Sequence, residues 1–288
     1  MKIFHRGKVK DIYKLSDDLL LFHFSDRVSA FDVKIKTPIP KKGEVLCKFA
    51  EFWFRNLKTE HHMIQVKNNK DMLVKRLDMI PIECVVRGYF YGSLVDRYKT
   101  GDKTIAIRSS FTPVLAAKLP EPIFDPTTKS EKHDSPVTEE KIISRGLLKK
   151  DEYDYIKAKS LSLYDSMKDI ANKATFILAD VKFEFGRDPK TGKILLGDSL
   201  GPDEYRLWLK SNYSPGKIQE SYDKQLLRDW LIKTGFKKTV DEYARQGRKP
   251  SPPDIPQCTV NKLSNRYVFA YEAITGHKLR YGDENKHD

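Results

Sequence analysis

The segment LADVKFEFG at residues 178–186 alternates apolar and charged side chains with a period of two. Its apolar positions hold valine and phenylalanine, whereas its charged positions hold Asp180, Lys182 and Glu184. A period of two predicts a β-strand whose successive side chains point to opposite faces. One face must be buried against a core, so the fold has to contain a packed sheet. The other face must hold three charges side by side.

A second short strand, Ile194 to Asp198, follows a turn that contains proline and glycine. If residues 190–192 form a three-residue turn, the antiparallel register sets Glu184 opposite Asp198. Two carboxylates this close repel each other unless a cation lies between them. Because Mg²⁺ binds carboxylate oxygens together with nucleotide phosphates, we predict a magnesium site at Glu184 and Asp198. Ion pairs across a solvated strand face are the alternative interpretation.

The composition indicates a globular protein with an anionic partner. Hydrophobic residues make up 39% of the chain, which is typical of a folded protein rather than a disordered one. The chain has 53 basic and 40 acidic residues, a formal charge of +13. Such a surplus favours nucleic acid or small polyanions such as ATP. Composition leaves both open, and much of the charge can also be ordinary surface.

Several other classes of protein are not supported. The N-terminus, MKIFHRGKVKDIY, has no apolar stretch, and no segment approaches the roughly 18 apolar residues of a membrane helix. We therefore expect a cytoplasmic protein without a membrane partner. Cys47, Cys84 and Cys258 are odd in number and widely spaced, so neither a disulfide framework nor a zinc site is expected. Histidine spacing predicts no metal site, and no serine or cysteine nucleophile motif is present.

The order of predicted elements indicates an α+β fold. The first third reads as short strands around one helix with Leu46, Phe49, Trp53 and Leu57 at helical spacing. A strand and a helix follow in PIECVVRGYFYGSL, and residues 109–137 are predicted to be a long functional loop. Helices are predicted from Thr138, over about 151–174, and in two tail segments separated by KPSPPDIP.

Four short segments are candidates for binding phosphates or carboxylates. Arginine grips such groups through a two-point fork, and ammonium groups beside a glycine turn can hold phosphates. Each segment alone is also typical of a surface turn or a basic edge strand, and nothing in the spacing shows that they meet. They are RGKVKDIY with Lys8 and Lys10, SDRVSAFD with Asp26, Arg27 and Ser29, VVRGYFYGS with Arg87 and Ser93, and GPDEYRLW with Arg206.

These segments, in this order, resemble the SAICAR synthetase family of de novo purine biosynthesis. The matching motifs are GKVKDIY, SDRVSAFD, VKRLDMIPIECVVRGYFYGS, TKSEKHD, LADVKFEFG, LLGDS with GPDEYRLW, and YDKQLLRDWL, which span positions 7 to about 231. The segment PPDIP with VNKLSNRYVFAYEAITG is similar to the tail of longer members.

The resemblance implies a two-lobed, ATP-grasp-like fold. Residues 1–80 would form a β-rich ATP-binding lobe, and 81–288 a larger α/β lobe with the substrate and metal site and a helical tail from about 218. The implied reaction joins L-aspartate to the carboxylate of carboxyaminoimidazole ribotide (CAIR) and yields SAICAR, ADP and phosphate, by way of an acyl phosphate. All reactants are anionic, so the reaction needs Mg²⁺, lysine and arginine.

The resemblance also implies roles for individual residues. ATP would contact Lys8 and Lys10 through its phosphates, and its adenine would contact the segment Lys75, Arg76, Leu77 and Asp78. Mg²⁺ would bind Glu184 and Asp198. The catalytic set would be Lys182, Asp180, Lys129 and Asp134. The substrates would contact Asp26, Arg27, Ser29, Arg87, Ser93, His133 and Arg206, with Lys129, His133 and Asp134 on a loop that closes over them.

Two departures from the family pattern stand out. Ser199 follows the LGD aspartate where many members have glutamate, and Glu204 and Tyr205 replace small residues in the frequent TPDSSR. Because Glu204 would repel a phosphate, we predict that its side chain faces outward. A kinase for a small alcohol and a basic nucleic-acid binder are the competing functions. The ordered motifs favour the ligase, without a specific nucleic-acid partner, as a monomer or homodimer.

Overall fold

The N-terminal part of the chain forms a five-stranded antiparallel sheet. The structure is a computed structural model that describes residues 2–102, 104–105, 107, 111–129 and 135–279. The N-terminal elements are β1 (Lys2–Arg6), β2 (Lys10–Lys14), β3 (Leu19–Phe24), β4 (Ser29–Ala30), β5 (Val33–Lys34), α1 (Lys42–Asn56), β6 (Met63–Val66), β7 (Asp71–Lys75) and β8 (Asp78–Met79). The sheet order is β1-β2-β3-β7-β6, which confirms the predicted run of short strands.

Helix α1 is the predicted amphipathic helix. Its apolar residues Leu46, Phe49 and Trp53 are almost completely buried, and the helix packs against β3 and β6 of the first sheet. Its N-terminus is held by Asp26, whose carboxylate accepts the Gly43 N–H over 2.8 Å. Such a bond satisfies one of the amide groups that a helix leaves free at its start.

The second half of the chain is built on another antiparallel sheet, with helices around it. Its elements are β9 (Ile82–Tyr89), α2 (Ser93–Lys99), β10 (Lys118–Phe124), β11 (Thr127–Thr128), α3 (Glu139–Ser144), α4 (Lys150–Lys173), β12 (Phe176–Phe183), β13 (Phe185–Arg187), β14 (Ile194–Leu196), β15 (Tyr205–Leu209), α5 (Gln225–Lys233), α6 (Phe236–Arg245) and α7 (Gln257–Thr275). The sheet order is β10-β9-β12-β15, and β11 also pairs with β9.

The long helix α4 packs closely across strands β9 and β12. A Cβ atom at Gly88 would lie only 1.8 Å from the Tyr164 hydroxyl, and that hydroxyl donates to the Leu178 carbonyl over 3.0 Å. Position 88 therefore requires glycine because the helix lies directly on the strand. The close contact fixes the height of α4 above the two strands that carry most of the site.

The predicted hairpin forms, but its predicted register was wrong by one residue. Phe185 pairs with Leu196, and the Glu184 carbonyl accepts the Gly197 N–H over 2.8 Å. Glu184 therefore lies opposite Gly197 and not opposite Asp198. Asp198 itself has a positive φ of 53°, so the chain leaves the strand direction at this residue.

The register differs because the turn is four residues long rather than three. The Asp188 carboxylate accepts the N–H groups of Lys190 and Thr191 over 2.9 and 3.3 Å. The Asp188 N–H donates to the Lys193 carbonyl over 2.9 Å and closes the turn. An aspartate that bonds to the backbone two residues later is a common way to start a turn, and it moves every pair of the hairpin by one position.

Two other predictions differ from the structure. Strands β10 and β11 lie within residues 109–137, which were predicted to be a loop, and helix α6 was not predicted. Cys47, Cys84 and Cys258 are free thiols, as expected. Among the helices of the described ranges, none combines the length and the hydropathy that a bilayer crossing requires.

Candidate active site

Two arginines, the buried Arg87 on β9 and the partly buried Arg206 on β15, approach the same carboxylate, that of Asp180 on the strand between them. The Arg87 Nε donates to Asp125 over 2.5 Å, and its Nη2 donates to the Ser93 hydroxyl over 3.1 Å. The Arg206 Nη1 donates to Asp180 over 2.5 Å, and the same carboxylate lies 3.9 Å from Arg87. The structure therefore joins Arg87, Ser93 and Arg206, which sequence spacing could not connect. We call this group the arginine pocket.

Glycine at position 92 makes room for this arrangement. A Cβ atom on Gly92 would lie 2.8 Å from the Arg206 Nη2, and the residue has a positive φ of 62°. A larger side chain at position 92 would approach Arg206 too closely. It would also strain the backbone, because residues other than glycine rarely adopt a positive φ. The turn between β9 and α2 thus lets the Arg206 guanidinium approach the backbone of the VVRGYFYGS motif.

Lys182 lies on the same face of β12 as Asp180, two residues along the strand. Its ammonium donates to Glu83 over 2.7 Å and lies 3.3 Å from Glu184. Glu184 also accepts a hydrogen bond from Lys129. The three even positions of the opening motif therefore share one face, as predicted. Glu83 was not predicted as a site residue. Glu83 lies four positions before Arg87 on β9, so the period of two along a strand indicates that both side chains lie on the same face.

Lys10 reaches into this site from the first sheet. Its ammonium donates to Asp198 and, over 3.1 Å, to the Ser199 hydroxyl, and it lies 4.5 Å from the centre of the Phe22 ring. Buried His62 contacts the Asp198 carbonyl through Nε2 over 2.8 Å. A carbonyl can only accept, so this nitrogen carries the proton. Burial, followed by the charge of Lys10, lowers the pKa of His62 to about 3, which keeps the ring neutral.

Charge pairing sets the protonation states in the site. Burial alone would lower the pKa of Lys182, but the carboxylates of Glu184 and Glu83 raise it well above its usual value. Burial would likewise raise the pKa of Glu184, but Lys182 and Lys129 hold it at about 2. Both groups are therefore ionised at neutral pH. Lys10 differs, because burial lowers its pKa to about 8 despite the nearby acids.

Glu204 faces inward, so the prediction that it faces outward was wrong. Its Oε2 atom is buried and has no hydrogen-bond partner among the described residues. Burial and then the neighbouring Asp203 raise the pKa of Glu204 to about 7, although Lys182 and Lys10 act in the opposite direction. The side chain turns inward because its strand begins beside Lys182, whose N–H donates to the Glu204 carbonyl over 2.8 Å.

This raised pKa predicts a pH-dependent stability. A carboxyl group whose pKa is raised in the folded state stabilises the fold at pH values below its usual pKa of 4.5. This stabilisation is lost as the pH rises through about 7. Glu204→Gln mimics the protonated form, so it should raise the melting temperature by a few degrees at pH 8. Near pH 4.5 the gain should be close to zero.

Thermal unfolding at both pH values checks this expectation. Glu60→Gln is the matched control, because the Glu60 side chain is 64% exposed. That control should change the melting temperature equally at both pH values. An equal gain for Glu204→Gln at pH 4.5 and pH 8 would contradict the inward, desolvated carboxyl group.

The chain matches known proteins over most of its length. A family model described as SAICAR synthetase matches residues 3–243. The phosphoribosylaminoimidazole-succinocarboxamide synthase of Nitrosopumilus maritimus is 52% identical over 279 residues, which cover 97% of this chain and 100% of the relative. The synthase of Schizosaccharomyces pombe is 38% identical, and the alignment covers 96% of this chain and 94% of that relative. The chain belongs to the SAICAR synthetase family.

Solved structures of the family have the same fold. The Saccharomyces cerevisiae SAICAR synthase complexed with SAICAR has a TM-score of 0.82 at 32% identity, over 97% of this chain and 96% of that one. A type-2 SAICAR synthetase in complex with ADP has a TM-score of 0.72 at 28% identity, over 96% of this chain and 99% of that one. The chain is therefore an ATP-dependent ligase of purine biosynthesis that joins aspartate to CAIR.

Three of the N-terminal candidate residues, Lys8, Asp26 and Arg27, lie in loops, and the fourth lies in a short strand. Lys8 is exposed and pairs with Asp32. Arg27 donates both ends of its guanidinium to Asp11, over 2.7 and 3.1 Å. Ser29 is buried in β4. Asp26 caps the start of α1, and the roles of all four side chains toward substrates stay predictions.

Residues 75–78, the segment predicted to contact adenine, connect the first sheet to the hairpin. The N–H groups of Lys75 and Arg76 donate to the carbonyls of His62 and Asp18, each over 2.8 Å. Leu77 is buried, and Asp78 pairs with Arg187 through β8. Other backbone groups of the segment would therefore have to bind a base. His133 and Asp134 lie outside the described residues.

Glu184 and Asp198 are the two residues predicted to bind a metal ion. The described ranges contain no group of three or more His, Cys, Asp or Glu side chains that could hold a metal. Each of the two predicted ligands nevertheless holds a cationic group, because Asp198 accepts a hydrogen bond from Lys10 and Glu184 accepts one from Lys129. One or two carboxylates completed by phosphate oxygens are the usual protein ligands of Mg²⁺, so the donor set fits.

Proposed function

We propose that the ligation takes place where the arginine pocket adjoins the lysine cluster of Lys10, Lys129 and Lys182. The supporting observation is that Asp180 and Lys182 occupy alternate positions of one strand, about 7 Å apart. Asp180 holds Arg206, whereas Lys182 faces Glu184. A ribotide phosphate in the pocket would therefore direct the rest of CAIR along β12 toward the lysines.

In this proposal the arginine pocket binds the ribotide phosphate. Arg87 and Arg206 supply planar forks suited to phosphate oxygens, and Ser93 adds a hydroxyl at the start of α2. Both arginines are held by carboxylates of the same chain. Their orientation is thus largely set before the substrate arrives, which reduces the entropy lost on binding.

The lysine cluster would stabilise charge in the chemical step. A carboxylate is a poor electrophile, so we propose that a CAIR carboxylate oxygen first attacks the γ-phosphorus of ATP. The bond to the β-phosphate oxygen breaks, ADP leaves with its electron pair, and an acyl phosphate forms. The aspartate amine then attacks the carbonyl carbon, and phosphate leaves with the electron pair of the broken C–O bond. Lys182 and Lys129 would neutralise the reacting oxygens, and Lys10 and Lys8 the ATP phosphates.

Glu184 and Asp198 would hold Mg²⁺, which when bound supplies positive charge to the ATP phosphates. Glu184 is suited to this role because its pKa of about 2 keeps it ionised at any physiological pH. Within the described residues, Lys10 and Lys129 occupy the positions beside these carboxylates. We propose that both ammonium groups turn toward phosphates when the nucleotide binds.

The lobes and the remaining residues complete the proposal. We propose an ATP-grasp-like division into an ATP-binding lobe, 1–80, and a substrate lobe, 81–288, with adenine at segment 75–78. Asp26, Arg27 and Ser29 would lie toward the carboxylates of CAIR and aspartate, and His133 and Asp134 on a closing loop. Cytoplasmic location, a monomer or homodimer, and the lack of a specific nucleic-acid partner belong to the same proposal.

Phosphate release tests this mechanism. With ATP and Mg²⁺, the enzyme should release phosphate steadily only when CAIR and aspartate are both present. Hydroxylamine in place of aspartate should yield the hydroxamate of CAIR, because it captures an acyl phosphate. A phosphate yield that needs aspartate, together with no hydroxamate at saturating hydroxylamine, would contradict the acyl phosphate.

A further inference from the structure

Asp203 lies at the centre of a buried cluster beside the site. Its side chain is only 2% exposed, and its Oδ2 accepts a hydrogen bond from Lys42 over 2.8 Å. Lys224 lies 3.8 Å from the same oxygen. Its Oδ1 accepts a hydrogen bond from the Tyr267 hydroxyl over 3.0 Å. Four segments far apart in the sequence thus meet at one carboxylate.

Tyr267 brings the C-terminal helix α7 into this cluster. Both Tyr267 and Lys42 are completely buried. Three residues earlier on α7, the Ser264 hydroxyl donates to the Pro40 carbonyl over 2.7 Å, just before Lys42. The helix therefore contacts the start of α1 and the segment 201–206 together. It lies beyond residue 243, where the match to the family model ends.

The segment that Asp203 anchors carries groups that face the site. The Glu204 carbonyl accepts the Lys182 N–H over 2.8 Å, and Arg206 donates to Asp180. On the other side of Asp203, the backbone of Gly201 lies against Leu46 of α1 and leaves no space for a Cβ atom. Movement of the Asp203 side chain would therefore shift the backbone that sets Arg206.

We propose that Tyr267 is a positioning residue for the ligation, which acts through Asp203 to fix segment 201–206 and the Arg206 guanidinium. The inference rests on the proposed binding of the ribotide phosphate by Arg206. The Tyr267 hydroxyl supplies the hydrogen bond that directs Oδ1 away from the two lysines. Without it, the carboxylate is free to turn toward Lys42 and Lys224.

Tyr267→Phe removes this hydroxyl and keeps the buried ring. Tyr271→Phe is the matched control, because Tyr271 lies one turn later on α7 and packs edge-on against Phe49 at 5.3 Å between ring centres. We expect Tyr267→Phe to raise the KM for CAIR about tenfold, as the loss of one charged hydrogen bond can do. The kcat and the KM for ATP should stay within about twofold, and Tyr271→Phe should change none of them.

Hydrogen exchange separates this inference from the role of Arg206. In Tyr267→Phe, but not in Tyr271→Phe, the amides of Gly201, of residues 203–206 and of Lys182 should exchange about tenfold faster. Faster local exchange with an unchanged KM for CAIR would support the anchoring but overturn the binding role of Arg206. Unchanged exchange at 201–206, or equal effects in the two variants, would overturn the positioning role. Lys42→Met should cause the same local change from the opposite side of Asp203.

Discussion

Glu184→Gln should reduce turnover by about a hundredfold or more and raise the Mg²⁺ concentration needed for half-maximal activity at least about tenfold. The substitution keeps the size of the side chain but removes one negative charge from the pair that faces Lys10 and the proposed metal. Asp198→Asn should act in the same direction. Steady-state rates over a Mg²⁺ titration at saturating ATP, CAIR and aspartate measure both effects.

Glu152→Gln is the control for this pair of variants. Glu152 is also a carboxylate paired with a base, Arg187, and it lies next to the same hairpin but on helix α4. Loss of its charge should leave the Mg²⁺ requirement unchanged. If Glu184→Gln and Asp198→Asn both kept the wild-type dependence on Mg²⁺, the metal assignment would be wrong.

Arg87→Lys should raise the KM for CAIR by about ten- to a hundredfold, with little change in the KM for ATP. Lysine keeps the positive charge beside Asp125, so the buried carboxylate does not lose its partner, which would cost several kcal/mol. The substitution removes the planar fork that would grip a phosphate and contact Ser93 together. The expected loss of binding free energy for CAIR is about 1.5–3 kcal/mol, the value of a hydrogen bond to a charged group.

Arg97→Lys is the comparison for this variant. Arg97 donates to the same Asp125 carboxylate over 2.8 Å, but its Nε is directed at Asp102 rather than toward Asp180. It should lower stability to a similar extent and leave the KM for CAIR near the wild-type value. Equal KM effects of the two substitutions would show that Asp125, and not the Arg87 fork, governs ribotide binding.

Strands and helices of this fold could be predicted where the pattern of neighbouring residues alone determines the structure. The two-residue alternation at 178–186 predicted β12 and the shared face of Asp180, Lys182 and Glu184, because strand geometry fixes side-chain direction. The hairpin register could not be predicted in the same way. It depended on whether the Asp188 carboxylate would bond to the backbone of the turn, and a three-residue turn was equally consistent with the composition.

The parts of the site that could not be predicted depend on contacts between residues far apart in the sequence. The outward direction predicted for Glu204 considered only repulsion from a phosphate, whereas its actual direction follows from the pairing of its backbone with Lys182. The meeting of Lys42, Asp203 and Tyr267 joins positions up to 225 residues apart, and no spacing rule connects them. Resemblance to a family supplied candidate residues, but only the folded chain shows which of them touch.

Asp180, Glu184 and Asp198 are already paired with bases of the same chain, and this has a consequence for product release. In the proposed site, each incoming phosphate would have to take an ammonium or guanidinium group from a carboxylate that holds it, so binding would be an exchange of one anionic partner for another. The net gain is a difference between two similar attractions. After the phosphoryl transfer, we expect the carboxylates of the chain to pair with these cations again, which would favour the release of ADP and phosphate.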